Sequence, residues 1–189
     1  MNKTQLETFR GLVNQFDFDS NNNIKLSCLN KVLEDAMSFL SSLLDTTINA
    51  DIGEGYLLNH SKTKAENFST IYVLSDLLQN EDNDLVIVKN LYLSKDINFD
   101  KDQLIFSKQY VLKKINLNEL SFINTKTQKG VFSAYKGIVK KEDCDQMAHM
   151  NVQFYFGKHS DAIKNLFNEI SSNLKQNVNF EIENERCIF

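Results

Sequence analysis

A carboxylate, an imidazole and an amide fall close together at Asp145, His149 and Asn151, inside the run Cys144-Asp145-Gln146-Met147-Ala148-His149-Met150-Asn151-Val152. A carboxylate can attack an acyl carbon as nucleophile, or take a proton from water as general base. The residues from about Asn151 onward predict a helix, so its free backbone N–H groups would gather at this point. Such a helix start attracts negative charge and can polarise a carbonyl whose oxygen is gaining it. His149 and Asn151 could orient groups there or donate hydrogen bonds. Plainer readings stand beside these: Asp145 as a turn or N-cap residue, His149 as a cap for backbone groups. The motif has no second His or Cys at ligand spacing, so no metal is expected. Cys144 serves equally well as a buried spacer, because no separate Cys–His–Asn pattern supports a thiol nucleophile.

The elements that must hold this stretch can be read from periodicity. Val131 to Val139 is expected as a strand leading into the loop. The helix that follows carries an apolar stripe at Tyr155, His159, Ala162, Ile163, Leu166, Phe167 and Ile170. An earlier helix is marked by Leu26, Leu29, Val32, Leu33, Ala36, Met37, Leu40, Leu43 and Leu44 at steps of three and four. Four segments between the helices read as strands: Gly53–Asn59, Thr70–Leu74, Leu85–Leu93 and Leu104–Leu112. Leu74–Leu78 fits a strand or a helix. Residues 1–23 read as polar with an apolar island at Gly11–Val13 and Phe16–Phe18. Residues 113–130 form a polar connector whose end, 124–130, is the expected boundary, and Val178–Ile182 reads as a short strand. The order predicts an α+β fold in which an antiparallel sheet wraps a long helix. The two halves show no repeat in residue identities.

Bulk properties narrow the partners. Net charge is −4 with a pI near 5.4, and no polybasic run occurs, which argues against nucleic acid or an anionic membrane as main partner. The cysteines Cys28, Cys144 and Cys187 lack C-x-x-C spacing, as expected of free thiols in a reducing compartment. No apolar h-region opens the chain, and a cytoplasmic location is expected.

Gly137-Ile138-Val139, followed by Cys144 through Val152, resembles the signature segment of the 4-hydroxybenzoyl-CoA thioesterase-like hotdog family. The likeness is closest to members that act on small acyl- or betainyl-CoA thioesters. It implies hydrolysis of an acyl-CoA substrate with no cofactor, at a site between two hotdog units paired within a chain or in a homo-oligomer. Asp145 would be the catalytic carboxylate, with His149 and Asn151 as supports and Tyr155, Met150 and Ala148 lining the substrate pocket. Ala148 stands where many relatives have Gly, a strained choice if the backbone there turns to positive φ. The likeness also suggests a tandem arrangement. Residues 1–123 would form a degenerate hotdog unit, with Ile24–Asn30 standing where the motif would be and lacking its Asp and His. After the connector 124–130, residues 131–189 would supply the opening strand and helix of a second, incomplete unit.

Overall fold

A computed structural model of the chain describes residues 3–44, 53–58, 63, 65, 69–82, 84–93, 103–112 and 134–174. The first helix, α1 (Leu26–Leu43), turns Leu29, Val32, Leu33, Ala36, Met37 and Leu40 into the core. Five strands follow or precede it: β1 (Lys3–Leu12), β2 (Gly53–Leu58), β3 (Thr70–Gln79), β4 (Leu85–Leu93) and β5 (Gln103–Leu112). They form one sheet in the order β1-β3-β4-β5-β2, every neighbouring pair antiparallel. In β4 buried and half-buried residues alternate strictly, so one face meets the helix. The fold is α+β, a long helix wrapped by an antiparallel sheet in the hotdog arrangement.

The apolar core divides along α1. One cluster gathers Leu29, Leu33 and Ala36 with Val73 and Leu91, and the other gathers Met37 and Leu40 with Leu77 and Ile87. A polar row lies between them. Thr8 and Ser75 share a hydrogen bond of 2.8 Å between their buried hydroxyls, and Lys89, the cross-strand partner of Ser75, is wholly enclosed. The Lys89 Nζ donates to the Leu33 carbonyl oxygen at 3.0 Å. Burial, with the charge of neighbouring Lys108 adding, pushes its pKa down to about 6.

Two expectations need correction. Residues 3–12 form a full strand although their pattern reads as polar. A bulge between Glu7 and Phe9 turns Thr8 inward and breaks the alternation by which a strand is recognised. The expected strand Val131–Val139 is not found over its described part, 134–139, where the chain makes only an isolated bridge from Lys136 to Arg10. A strand needs a continuous ladder, and here one residue pair supplies all of it. Leu74–Leu78 is strand, and the second helix, α2, runs Val152–Leu174. The connector 113–130, Val178–Ile182, His60 and Cys187 lie outside the described residues. No described helix is long and apolar enough to cross a membrane.

Lys89 makes stability depend on pH. The unfolded chain holds this proton up to the ordinary lysine value of 10.5, the folded chain only below about 6. Between those values unfolding takes up a proton, so this residue's contribution to stability rises with pH by about 1.4 kcal/mol per unit. Below that window both states are protonated and the full cost remains. Lys89→Met should therefore be more stable than wild type at pH 7, with the gap closing by about 3 kcal/mol at pH 9. Urea midpoints at both pH values check this; parallel pH slopes in the two proteins would contradict it.

Candidate active site

The segment before α2 is built by its backbone. A single 3₁₀ turn, Lys141–Asp143, is capped by the Asp143 carboxylate, which accepts the Lys140 N–H at 3.1 Å. Cys144 then bridges to Met150, closing a tight loop around Asp145. The Asp145 N–H donates to the His149 carbonyl oxygen at 2.8 Å, and the Asn151 N–H to that of Asp143 at 2.8 Å. The Asn151 carbonyl oxygen accepts the first bond of α2, from Phe154 at 2.9 Å. Asp145 and His149 are thus bonded within one loop at the start of α2, while Asn151 is tied by its backbone to Asp143.

One oxygen of Asp145 is occupied. Its Oδ1 accepts the backbone N–H groups of Met147 at 2.8 Å and His149 at 3.0 Å. Its Oδ2 lies 4.0 Å from Nδ1 of His149, and both side chains are open to water, 43% and 71% exposed. Accessibility suits a group that must meet a substrate. Ala148 has φ of 61°, the left-handed conformation in which its Cβ is strained.

The same loop occurs a second time, before α1. The 3₁₀ turn Gln15–Asp17 is capped by Asp17, whose Oδ2 accepts the Asn14 N–H at 2.8 Å. Asp19 Oδ1 accepts the N–H groups of Asn21 and Asn23 at 2.8 and 2.9 Å, and Phe18 bridges to Ile24 as Cys144 does to Met150. Asn22, with φ of 60°, matches Ala148. These pairs keep one constant offset along the chain, and it also matches the starts of the two helices. At that offset Phe9-Arg10-Gly11-Leu12-Val13 aligns with Tyr135-Lys136-Gly137-Ile138-Val139, and Asp17, Asp19, Asp35, Ala36 and Leu40 with Asp143, Asp145, Asp161, Ala162 and Leu166. Identities are therefore present but scattered. The counterpart of the motif lies at 14–25, earlier than the Ile24–Asn30 suggested by the sequence, and it retains the Asp. Asn23 stands for His149 and Lys25 for Asn151. Backbone N–H groups of Asn23 and Asn21 hold the Asp19 carboxyl below the usual carboxylate range.

The two loops meet across a local two-fold axis. Arg10 and Lys136 are counterparts, and they exchange both backbone hydrogen bonds, at 2.9 and 3.1 Å. A residue bonded reciprocally to its own counterpart sits on such an axis. A cleft of about 450 Å³ straddles it, lined by the counterpart pairs Phe9 and Tyr135, Gly11 and Gly137, Asp17 and Asp143. Lys140 crosses the axis to Asp35 of α1 at 2.7 Å. A neighbouring cavity of about 420 Å³ includes Met150 and Tyr155 among its walls. A third, of about 300 Å³, lies beside Asp19 and Thr63. Asp145, His149, Asn151 and Ala148 line none of these three cavities. Sequence reasoning passed over Tyr135, Asp143, Lys158 and Asp19; aligning the chain with itself at the constant offset would have found them.

No protein-family model matches the chain. No curated protein matches it either. Among solved structures it is similar to a mutant form of a hexameric broad-specificity acyl-coenzyme A thioesterase, with TM-score 0.48 and 10% identity over 66% of this chain and 90% of that one. It is also similar to a hexameric thioesterase from Yersinia pestis, with TM-score 0.45 and 9% identity over 71% and 96% of the two chains. A third is an acyl-CoA hydrolase from Staphylococcus aureus in complex with butyryl coenzyme A, with TM-score 0.44 and 7% identity over 92% and 87%. Overlaps this loose decide neither substrate nor site.

Strain at Ala148 can be measured. Ala148→Gly should stabilise the chain by about 1 kcal/mol, since glycine adopts positive φ freely. Asn22→Ala, at the matching position, should destabilise it by a similar amount. Chemical denaturation of both variants tests the pair, and a loss of stability in Ala148→Gly would contradict the strain.

Proposed function

We propose that the chain is an acyl-CoA thioesterase, cleaving a small acyl-CoA to a carboxylate and free coenzyme A at the Asp145 loop. The observation that carries this reading is the two-sided setting of Asp145. Backbone N–H groups pin Oδ1 at the start of a long helix, while Oδ2 faces His149 and water. A carboxylate so held has one fixed orientation and one oxygen left for chemistry. As general base, Oδ2 takes a proton from water as the water oxygen bonds to the acyl carbon. The C–S bond then breaks, and the coenzyme A thiolate leaves and takes up a proton. The imidazole of His149, with Nδ1 4.0 Å away, flanks the oxygen that takes the proton.

In this reading the chain holds two related units, 1–123 and 131–189, that pair internally across the Arg10–Lys136 axis. The first keeps the carboxylate at Asp19 but has an amide, Asn23, in place of the imidazole, so it cannot relay a proton in the same way. A second reading is favoured by one observation: Asp145 borders none of the three cavities. The chain would then bind acyl-CoA without turning it over.

Free-thiol release from a panel of short, branched, aromatic and betainyl acyl-CoA esters separates the two. Wild type should turn over at least one, and Asp145→Asn should lose roughly 100-fold or more of that rate. Equal rates in both proteins would sink the assignment of Asp145. Tight binding without turnover by wild type would favour the binding module.

A further inference from the structure

The second helix repeats the apolar stripe of the first. At the constant offset, Leu29, Leu33, Ala36, Met37, Leu40 and Leu44 have as counterparts Tyr155, His159, Ala162, Ile163, Leu166 and Ile170. In the first copy all six are buried, none more than 4% exposed. In the second copy none of the six is buried. Tyr155 is 42% and Leu166 36% exposed, and the other four are half-buried. Phe156 and Leu174, each 53% exposed, widen the stripe along one edge. Monomers rarely leave apolar patches of more than a few hundred Å² open, and large side chains open by a third to a half reach that range.

The rotation of α2 is fixed from its other side. The Thr70 hydroxyl donates to Asn165 Oδ1 at 2.8 Å, and Asn168 Nδ2 donates to the same hydroxyl oxygen at 3.0 Å. Asn165 is only 1% exposed, and Lys158 lies 3.7 Å from Asp143 Oδ2. These contacts turn the polar side of the helix inward and leave the stripe on the open side.

The stripe's spacing reads the same in both directions. Tyr155 and Ile170, His159 and Leu166, and Ala162 and Ile163 lie at equal distances on either side of one midpoint. Two such helices laid antiparallel meet layer for layer, the self-complementarity that a two-fold contact requires. Ala162, small and central, lets the two backbones approach closely. Charge agrees with this direction. Lys158 precedes the midpoint and Glu169 follows it on the same edge, so antiparallel pairing brings opposite charges together and parallel pairing brings like charges together.

We propose that this face of α2 is a self-association surface, on which a second copy of the chain lays its own α2 antiparallel, about a two-fold axis at Ala162 and Ile163. The contact is separate from the internal axis at Arg10 and Lys136, and it does not depend on the thioesterase reading. It sets the two Asp145 loops at opposite ends of the paired helices.

Sedimentation equilibrium of the full chain should show a dimer at about 100 µM. Ile163 lies beside its own copy across the axis, so Ile163→Glu and Ile163→Lys should each weaken self-association about 100-fold or more. Mixed in equal amounts, the two variants should recover a dimer, a rescue that misfolded chains could not give. Oxidative crosslinking reads the direction. Ala162→Cys should form a covalent dimer well above the background of the wild-type thiols, whereas Leu174→Cys, about 35 Å from its mate, should not. A wild-type monomer at the same concentration overturns the proposal. So does a dimer that both charged variants retain, or a mixture that fails to recover one. Crosslinking of Ala162→Cys no better than background, or of Leu174→Cys just as readily, overturns the antiparallel arrangement and the proposal with it.

Discussion

Two backbone hydrogen bonds between Arg10 and Lys136 fix how the halves of this chain face each other. Among the described residues β1 pairs with a strand, β3, on one side, and its other side would otherwise present unpaired backbone groups. The bridge occupies part of that side. Charge then locks the same place. Arg10 holds Glu7 at 2.7 Å, and Lys136 adds a bond to the Glu7 carbonyl at 3.1 Å and a longer contact with its carboxylate at 3.7 Å. Once Lys136 is placed, the residues after it have little choice. Tyr135 folds over Gly137, Lys140 reaches Asp35, and the Asp145 loop follows within a few residues.

What the two loops share is backbone architecture, and what separates them is side-chain chemistry. Both need an Asp whose Oδ1 collects two N–H groups and a residue in the left-handed region to close the turn. Asn22 enters that region readily, whereas Ala148 does so at a cost. A loop that keeps its shape through an unfavourable residue is over-determined by its other bonds. The side chain after that residue is free to change, and it is Asn23 in one loop and His149 in the other. An amide donates and accepts but does not titrate, while an imidazole does both.

Features set by neighbours in sequence were legible. The motif Asp145, His149, Asn151 is local: Asp145 and His149 are bonded across four positions, and Asn151 is tied back to Asp143 across eight. β4 was read to the residue because its β-branched and aromatic run is bounded by polar clusters on both sides. β1 was not, because its bulge reverses the alternation midway. Residues 131–139 read as a strand on their β-branched and aromatic content, but strand formation depends on a partner ladder that lies elsewhere in the chain. Tyr135 and Lys158 belong to different elements and meet only when the loop folds back. A tandem arrangement was expected from the resemblance, but its register was not, because the identities are spread among substitutions; the duplicated hydrogen bonds show the offset.

The polarity of the cleft is organised around a carboxylate that both loops carry, Asp17 in one and Asp143 in the other. Asp17 and Asp143 each cap a 3₁₀ turn, a task that leaves acceptor capacity toward the cleft. In the first copy the Cys28 thiol takes up some of it. Burial, with Asp17 adding, pushes that thiol to about 12, so it remains a neutral donor. In the second copy Phe154 stands at the Cys28 position, and the donor arrives from one turn further along the helix as Lys158. A lysine entering an apolar cleft alone would lose its solvation with nothing to offset it. Here it meets Asp143, which the turn requires in any case, and a phenol ring whose face attracts a cation. The structural cap thus makes the charge tolerable in the cleft.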